Sequence, residues 1–241
     1  MHNIKYEIGL SPLNIYTDRP SPYLAQLSAL NANLFIIGKY DGKIPQPFDK
    51  VEVITADIRP HIIITQTKLE NFHELQSFAN DYKAVHVHYE SNIAPNKMLP
   101  IHFNKLKELR ANLNVFADED VAASWGFHQE ESCIINHCYA AQKYAPKVPF
   151  VVSSAIPAYE MSSGSIPIVA GTRSNLNHIK VGYNGFVFKD ESELKFIINQ
   201  INKMDKEDVK TVGLNAISLV KETFTPEIYI ENWRKALKNI I

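Results

Sequence analysis

Glu160 stands four residues before Gly164 in the stretch Tyr159-Glu160-Met161-Ser162-Ser163-Gly164-Ser165, directly ahead of the apolar run Ile166–Ala170. A carboxylate has two oxygens and accepts two hydrogen bonds at once, which suits a pair of neighbouring hydroxyl groups. Gly164 permits the left-handed residue that ends a helix sharply, so that a strand can begin at once. Gly171-Thr172-Arg173-Ser174 follows the apolar run and opens another helical stretch. Arg173 and the N–H groups around Ser174 would there face an anionic group. In the first half, His88 ends the run Ala84–His88 and is followed by Tyr89, Glu90 and Asn92, while Arg19 lies in Asp18-Arg19-Pro20-Ser21-Pro22-Tyr23. Each residue also has a plain structural reading: Glu160 as a solvated helix residue, Gly164 as a cap, His88 as a core histidine, Asp18–Pro22 as a turn with an N-cap. His86 is assigned to the face opposite His88 and to a structural role.

These side chains need strands and helices to hold them. Short β-branched runs alternate with helical periodicity, the pattern of βα units around a parallel sheet. The expected strands are Ile4–Ile8, Leu34–Ile37, Val51–Ile54, His61–Thr65, Ala84–His88, Leu113–Phe116, Cys133–Ile135, Phe150–Val152, Ile166–Ala170 and Gly185–Phe188. The expected helices are Ser21–Ala29, Leu69–Asn80, Ile101–Ala111, Glu119–Trp125, Ala158–Ser163, Ser174–Val181, Glu191–Asn202, Lys206–Glu222 and Pro226–Asn239. Asp190 and Thr225 are the best marked caps. Ile230, Trp233 and Leu237 give the last helix one apolar stripe that must dock on something. The polar segment Tyr139–Lys147 divides the chain, giving an N-terminal lobe over 1–140, a shorter lobe over 141–225 and a final helix over 226–241 that packs back on the first lobe.

With 241 residues and 45% hydrophobic content the chain can bury a real core. Twenty-five Lys plus Arg balance 26 Asp plus Glu, a net charge of −1 that offers no global attraction to phosphate polymers or anionic membranes. No apolar run approaches the ~18 residues of a membrane span, and a cytoplasmic location is expected. Cys133 and Cys138, with His128 and His137 nearby, lack the second close pair that metal sites use, so they read as reduced thiols. No Asp-x-Asp motif calls for a divalent ion.

The segment Glu160–Ala170 resembles the Glu-Ala-Met-Ala-Ser-Gly-x-Pro-Val-Val-Ala run of retaining GT-B glycosyltransferases, and His178–Phe188 resembles the same family's Glu-Ile-Val-x-x-Gly-x-Asn-Gly-Phe-Leu-Val run. In the first half, Arg59–Thr65, Ala84–His88, Asn114–Ala122 and Cys133–His137 resemble further family segments in the family's order. The resemblance implies an α/β fold of two Rossmann-like lobes with parallel sheets, the second reduced, and transfer of a sugar from a nucleoside-diphosphate sugar, a UDP-sugar, to a hydroxyl with retained configuration. It implies that Glu160 holds the donor ribose, with Ser163, Gly164, Gly171, Thr172 and Ser174 around the nucleotide. His88 and Arg173 would serve catalysis, and Arg19 and Tyr89 the acceptor.

Two departures stand out. The family's earlier Glu falls on Val152, and the segment that carries its diphosphate-binding Arg and Lys has no room between His137 and Phe150. Arg173, with Lys143 or Lys147, is the expected substitute. The shortened chain is similar to compact bacteriophage glycosyltransferases, some of which modify hydroxymethylated pyrimidines in DNA, so modified DNA is one candidate acceptor; Arg19, Lys97, Lys105, Lys107 and Arg110 would form its basic patch. A surface glycan, a lipid-linked sugar or a small molecule is the alternative, and a non-catalytic nucleotide-sugar-binding protein is the rival.

Overall fold

The computed structural model describes residues 12–37, 42–51, 54–66, 69–92, 94 and 108–240. The strand expected at Ile4–Ile8, most of the helix expected at Ile101–Ala111, and Lys97, Lys105 and Lys107 lie outside the described residues. The chain forms two units, Met1–Asn136 with Ile230–Ile241, and His137–Tyr229.

The first unit holds β1 (Leu13–Thr17), β2 (Ala32–Ile36), β3 (Phe48–Lys50), β4 (Ile62–Thr65), β5 (Val85–Glu90), β6 (Leu113–Phe116) and β7 (Cys133–Ile134). They form one parallel sheet in the order β3-β2-β1-β4-β5-β6-β7. The winding reverses between β1 and β4, and the carboxyl ends of strands at such a reversal are where doubly wound sheets bind ligands. Helices α1 (Pro22–Ala25), α2 (Leu69–Tyr82) and α3 (Glu119–Ser124) join them. Ser21 caps α1 and Asp118 caps α3, each side chain accepting a backbone N–H of the first turn.

Sequence periodicity overlooks β1 because Asn14 interrupts its apolar run. Asn14 is nevertheless buried, its amide donating to the Asp57 and Arg59 carbonyls (3.2 and 3.0 Å) and its oxygen accepting from Asn33 (3.0 Å). A fully bonded amide costs the strand little. The strand expected at Val51–Ile54 is instead Phe48–Lys50. The ladder with β2 ends where Val51 N–H meets the Ile36 carbonyl, and Val51 and Ile54 spend their apolar surface packing against the cluster of Tyr16, Phe35 and Ile63.

The second unit holds β8 (Phe150–Ser153), β9 (Ile166–Ala170) and β10 (Phe186–Phe188), a parallel sheet in the order β10-β9-β8. Its helices are α4 (Ala158–Met161), α5 (Arg173–His178), α6 (Glu191–Ile201) and α7 (Lys206–Thr223). Asp190 caps α6 and Asp205 caps α7. The last helix, α8 (Pro226–Lys238), begins after Thr225, whose hydroxyl accepts the Ile228 N–H at 3.4 Å. The stripe of Ile230, Trp233 and Leu237 is buried, with the Trp233 ring 6.0 Å from Tyr89.

Candidate functional site

In the second unit the carboxyl ends of the three strands lie together, Phe188 beside Ala170 and Ser153 beside Val169. Two loops leave that edge, Ser154–Pro157 into α4 and Gly171–Thr172 into α5, and a third begins at Lys189. Glu160 sits in the single turn of α4, half-buried, and among the described residues no hydrogen bond or ion pair engages its carboxylate. Thr172 caps α5 by accepting the Asn175 N–H (3.3 Å), and Arg173 and Ser174 open that helix, the first exposed and the second buried.

Asn175 escaped the sequence reading, and it joins the two loops. Its side-chain amide is 1% exposed and donates to the Ser154 carbonyl (2.9 Å) and the Ala170 carbonyl (2.8 Å), bridging the β8 loop and the end of β9. An asparagine in a polar turn carries no sequence mark that would separate this role from an ordinary cap.

Ser163 and Gly164 fall elsewhere. They end α4 on the way back to the amino edge, where Ser165 Oγ donates to the Val148 carbonyl and Ile166 N–H to the Pro149 carbonyl. Ser163 Oγ donates to the Glu160 carbonyl (3.0 Å), and the Ser163 carbonyl accepts the Ala145 N–H (2.9 Å). Gly164 adopts φ +100°, and a Cβ there would stand 2.5 Å from Tyr144 Cδ2. Lys143 and Lys147 belong to this same stretch along residues 162–165, ahead of the amino end of β8, and are not brought to the Gly171 turn. Val152 is exposed on β8.

At the carboxyl edge of the first unit, β1 ends in the turn bearing Arg19. Its side chain is exposed, while its carbonyl accepts from Thr17 Oγ1 (3.2 Å) and from Gln66 Nε2 at the end of β4. Asp18 accepts from Asn71 Nδ2 (3.0 Å); burial raises its carboxyl pKa, and that hydrogen bond offsets part of the rise. These contacts lace together the loops after β1 and β4.

His88 is enclosed, its ring among Phe72, Phe116, Trp125 and Phe127 at centroid separations of 5.6 to 6.4 Å. Its Nε2 lies 3.0 Å from Oε1 of Glu90, also buried, and among the described residues its Nδ1 has no hydrogen-bond partner. In sequence, Glu90 is only one of several polar residues after His88. The assignment of His86 to the opposite face is corrected. Residues two apart on a strand share a face, and the rings of both histidines pack on Phe72. His86 Nε2 lies 3.1 Å from Thr65 Oγ1, and burial, helped by nearby His88, lowers its pKa to about 4. Tyr89 points the other way and is 1% exposed beside Trp233, inside the unit rather than on its surface.

Cys133 and Cys138 are free thiols whose pKa values burial raises, and burial lowers that of His137 to about 4. Among the described residues no group of three or more His, Cys, Asp or Glu could hold a metal ion, and no helix is long and apolar enough to cross a membrane.

Two Rossmann-like parallel α/β units, the second with three strands, define the GT-B fold of glycosyltransferases. HepE of Anabaena, solved with UDP, superposes with a TM-score of 0.69 at 10% identity, over 95% of this chain and 100% of that one. HepE has also been solved with UDP-glucose. Sucrose-phosphate synthase of Thermosynechococcus elongatus gives 0.63 at 9% identity, covering 96% of each chain. A glycosyltransferase of Rickettsia africae gives 0.61 at 6%, over 95% and 98%. At such identities the likeness establishes the fold. No protein-family model matches the sequence, and no curated protein matches it.

Proposed function

We propose that the protein is a glycosyltransferase that moves a sugar from a UDP-sugar to a hydroxyl acceptor with retained configuration. The observation that carries this reading is the carboxyl edge of the second unit. There the Glu160 carboxylate, without a partner among the described residues, follows one strand, and the Gly171–Ser174 turn follows the next, tied to the first loop through Asn175. Glu160 accepts the vicinal ribose hydroxyls, and the turn with Arg173 lies against the diphosphate. The GT-B fold and the UDP and UDP-glucose complexes of HepE support the choice of donor.

In the transfer, the bond between the anomeric carbon and the diphosphate oxygen breaks while the acceptor oxygen forms its own bond to that carbon. The acceptor proton passes to the departing diphosphate. The negative charge that gathers on this leaving group is the largest electrostatic demand of the step, and Arg173 answers part of it. His88, held by Glu90, and the exposed Arg19 stand at or near the carboxyl ends of β5 and β1, the edge at which a doubly wound sheet takes its ligand. A hydroxymethylated pyrimidine in phage DNA is the acceptor we propose, with a glycan, lipid-linked sugar or small molecule as the alternative.

The test is incubation with a panel of nucleotide sugars, with and without hydroxymethylcytosine-containing DNA. Free UDP and nucleoside masses are then measured. Release of UDP that depends on an acceptor is expected. Binding of UDP-sugar without any release would mean a nucleotide-sugar-binding protein instead.

A further inference from the structure

Lys189, the first residue after β10, lies beside the Gly171 turn. The Gly171 N–H donates to the Phe188 carbonyl at 2.9 Å, which draws the ends of β9 and β10 together. Lys189 Cγ lies 4.0 Å from the position a Cβ on Gly171 would take, so the start of the lysine stem stands next to the turn.

Three carboxylates follow in sequence, and each is engaged elsewhere. Asp190 Oδ1 accepts the Glu193 N–H (2.9 Å), Glu193 Oε2 accepts the Lys189 backbone N–H (2.8 Å), and Glu191 pairs with Lys195 (2.6 Å). The Lys189 side chain is exposed, and among the described residues its ammonium has no hydrogen bond or ion pair. Lys143 and Lys147, the cations expected from sequence to join Arg173, lie toward the other edge of the sheet.

We propose that Lys189 is a ligand of the donor diphosphate, so that Arg173 and Lys189 reach the phosphates from the ends of adjacent strands. This rests on the donor site proposed above. A lysine suits the position because it acts as a point charge on a flexible four-carbon stem and needs no fixed plane of approach. No sequence spacing reveals the pairing, because Gly171 and Lys189 stand 18 positions apart and only strand pairing closes the gap.

The experiment is calorimetric titration of the whole chain with UDP and with uridine, for wild type, Lys189→Ala and Lys189→Arg. The expected result is UDP affinity at least fivefold weaker in Lys189→Ala, uridine affinity unchanged, and recovery of most of the loss in Lys189→Arg. Equal UDP affinity in wild type and Lys189→Ala overturns the role of Lys189 and leaves the donor site standing. A loss shared equally by uridine also overturns it, since the effect would not run through phosphate. If the wild type binds neither compound, the donor site itself falls and the lysine proposal with it.

Discussion

Arg173 is the side chain whose removal should cost most for the least disturbance of the fold. It is exposed at the start of α5, and the helix cap is made by Thr172, not by Arg173. Arg173→Ala should lower turnover more than tenfold, or about 1.4 kcal/mol of barrier. Steady-state kinetics with unchanged turnover would remove it from the mechanism. His86 gives a prediction of another kind. Its Nε2 faces Thr65 Oγ1, which in turn lies 3.4 Å from the Val87 carbonyl, while its Nδ1 is buried without a partner among the described residues. Protonation would therefore place a charge and an unsatisfied donor in the core. The folded-state pKa of about 4 lies below the unfolded value near 6.5, so the unfolded chain binds more protons between these limits. Stability is thus complete above about pH 6.5 and falls as the pH drops toward 4. Urea midpoints measured across this range should decline in the wild type and decline less steeply in His86→Gln. Parallel curves would assign the acid sensitivity to other groups, His137 among them.

The single turn of α4 would not hold Glu160 in place by its own hydrogen bonds, because so short a helix is far below the length that is stable alone. Its support comes from the chain that leaves it and from α7. Tyr144 lies against Gly164, and Gly213 on α7 approaches both. A Cβ on Gly213 would stand 2.8 Å from Tyr144 Cε2 and collide with the Gly164 carbonyl oxygen. Gly213→Ala should therefore destabilise the second unit by about 1–3 kcal/mol, the usual cost of overfilling a packed site. It should also weaken UDP binding, because the Glu160 turn must shift to make room. A wild-type melting curve for Gly213→Ala would show that the three groups yield freely.

For the molecule as a whole, the balance of charges limits how it can meet DNA. A net charge of −1 provides no long-range attraction, and Lys97, Lys105 and Lys107 of the expected basic patch lie outside the described residues. Affinity for duplex DNA falls with salt roughly as the number of phosphates neutralised. If modified DNA is the acceptor, about two cations suffice to hold it, and retention should fall by no more than about tenfold between 50 and 200 mM salt. A much steeper fall in filter-binding assays would demand a cation array that the balanced composition does not suggest. No retention at any salt, with transfer to a small molecule instead, would exclude the DNA acceptor.

The sequence by itself determined the parallel α/β class, most strand and helix positions in the second half, and the caps at Asp190 and Thr225. These depend on local periodicity and on side chains that bond within their own turn. The local settings of Glu160, Gly171, Thr172 and Arg173 were legible for the same reason: each residue sits beside the strand or helix end that places it. Tertiary structure alone decided the rest. It recovered β1, because the bonds that satisfy Asn14 come from residues up to 45 positions away. It put Lys189, not Lys143 or Lys147, beside the Gly171 turn, tied two loops through Asn175, and enclosed His88 with Glu90 among aromatic rings. Each of these depends on which strands lie side by side, and strand order is set by burial and pairing across the whole sheet, which no local window contains.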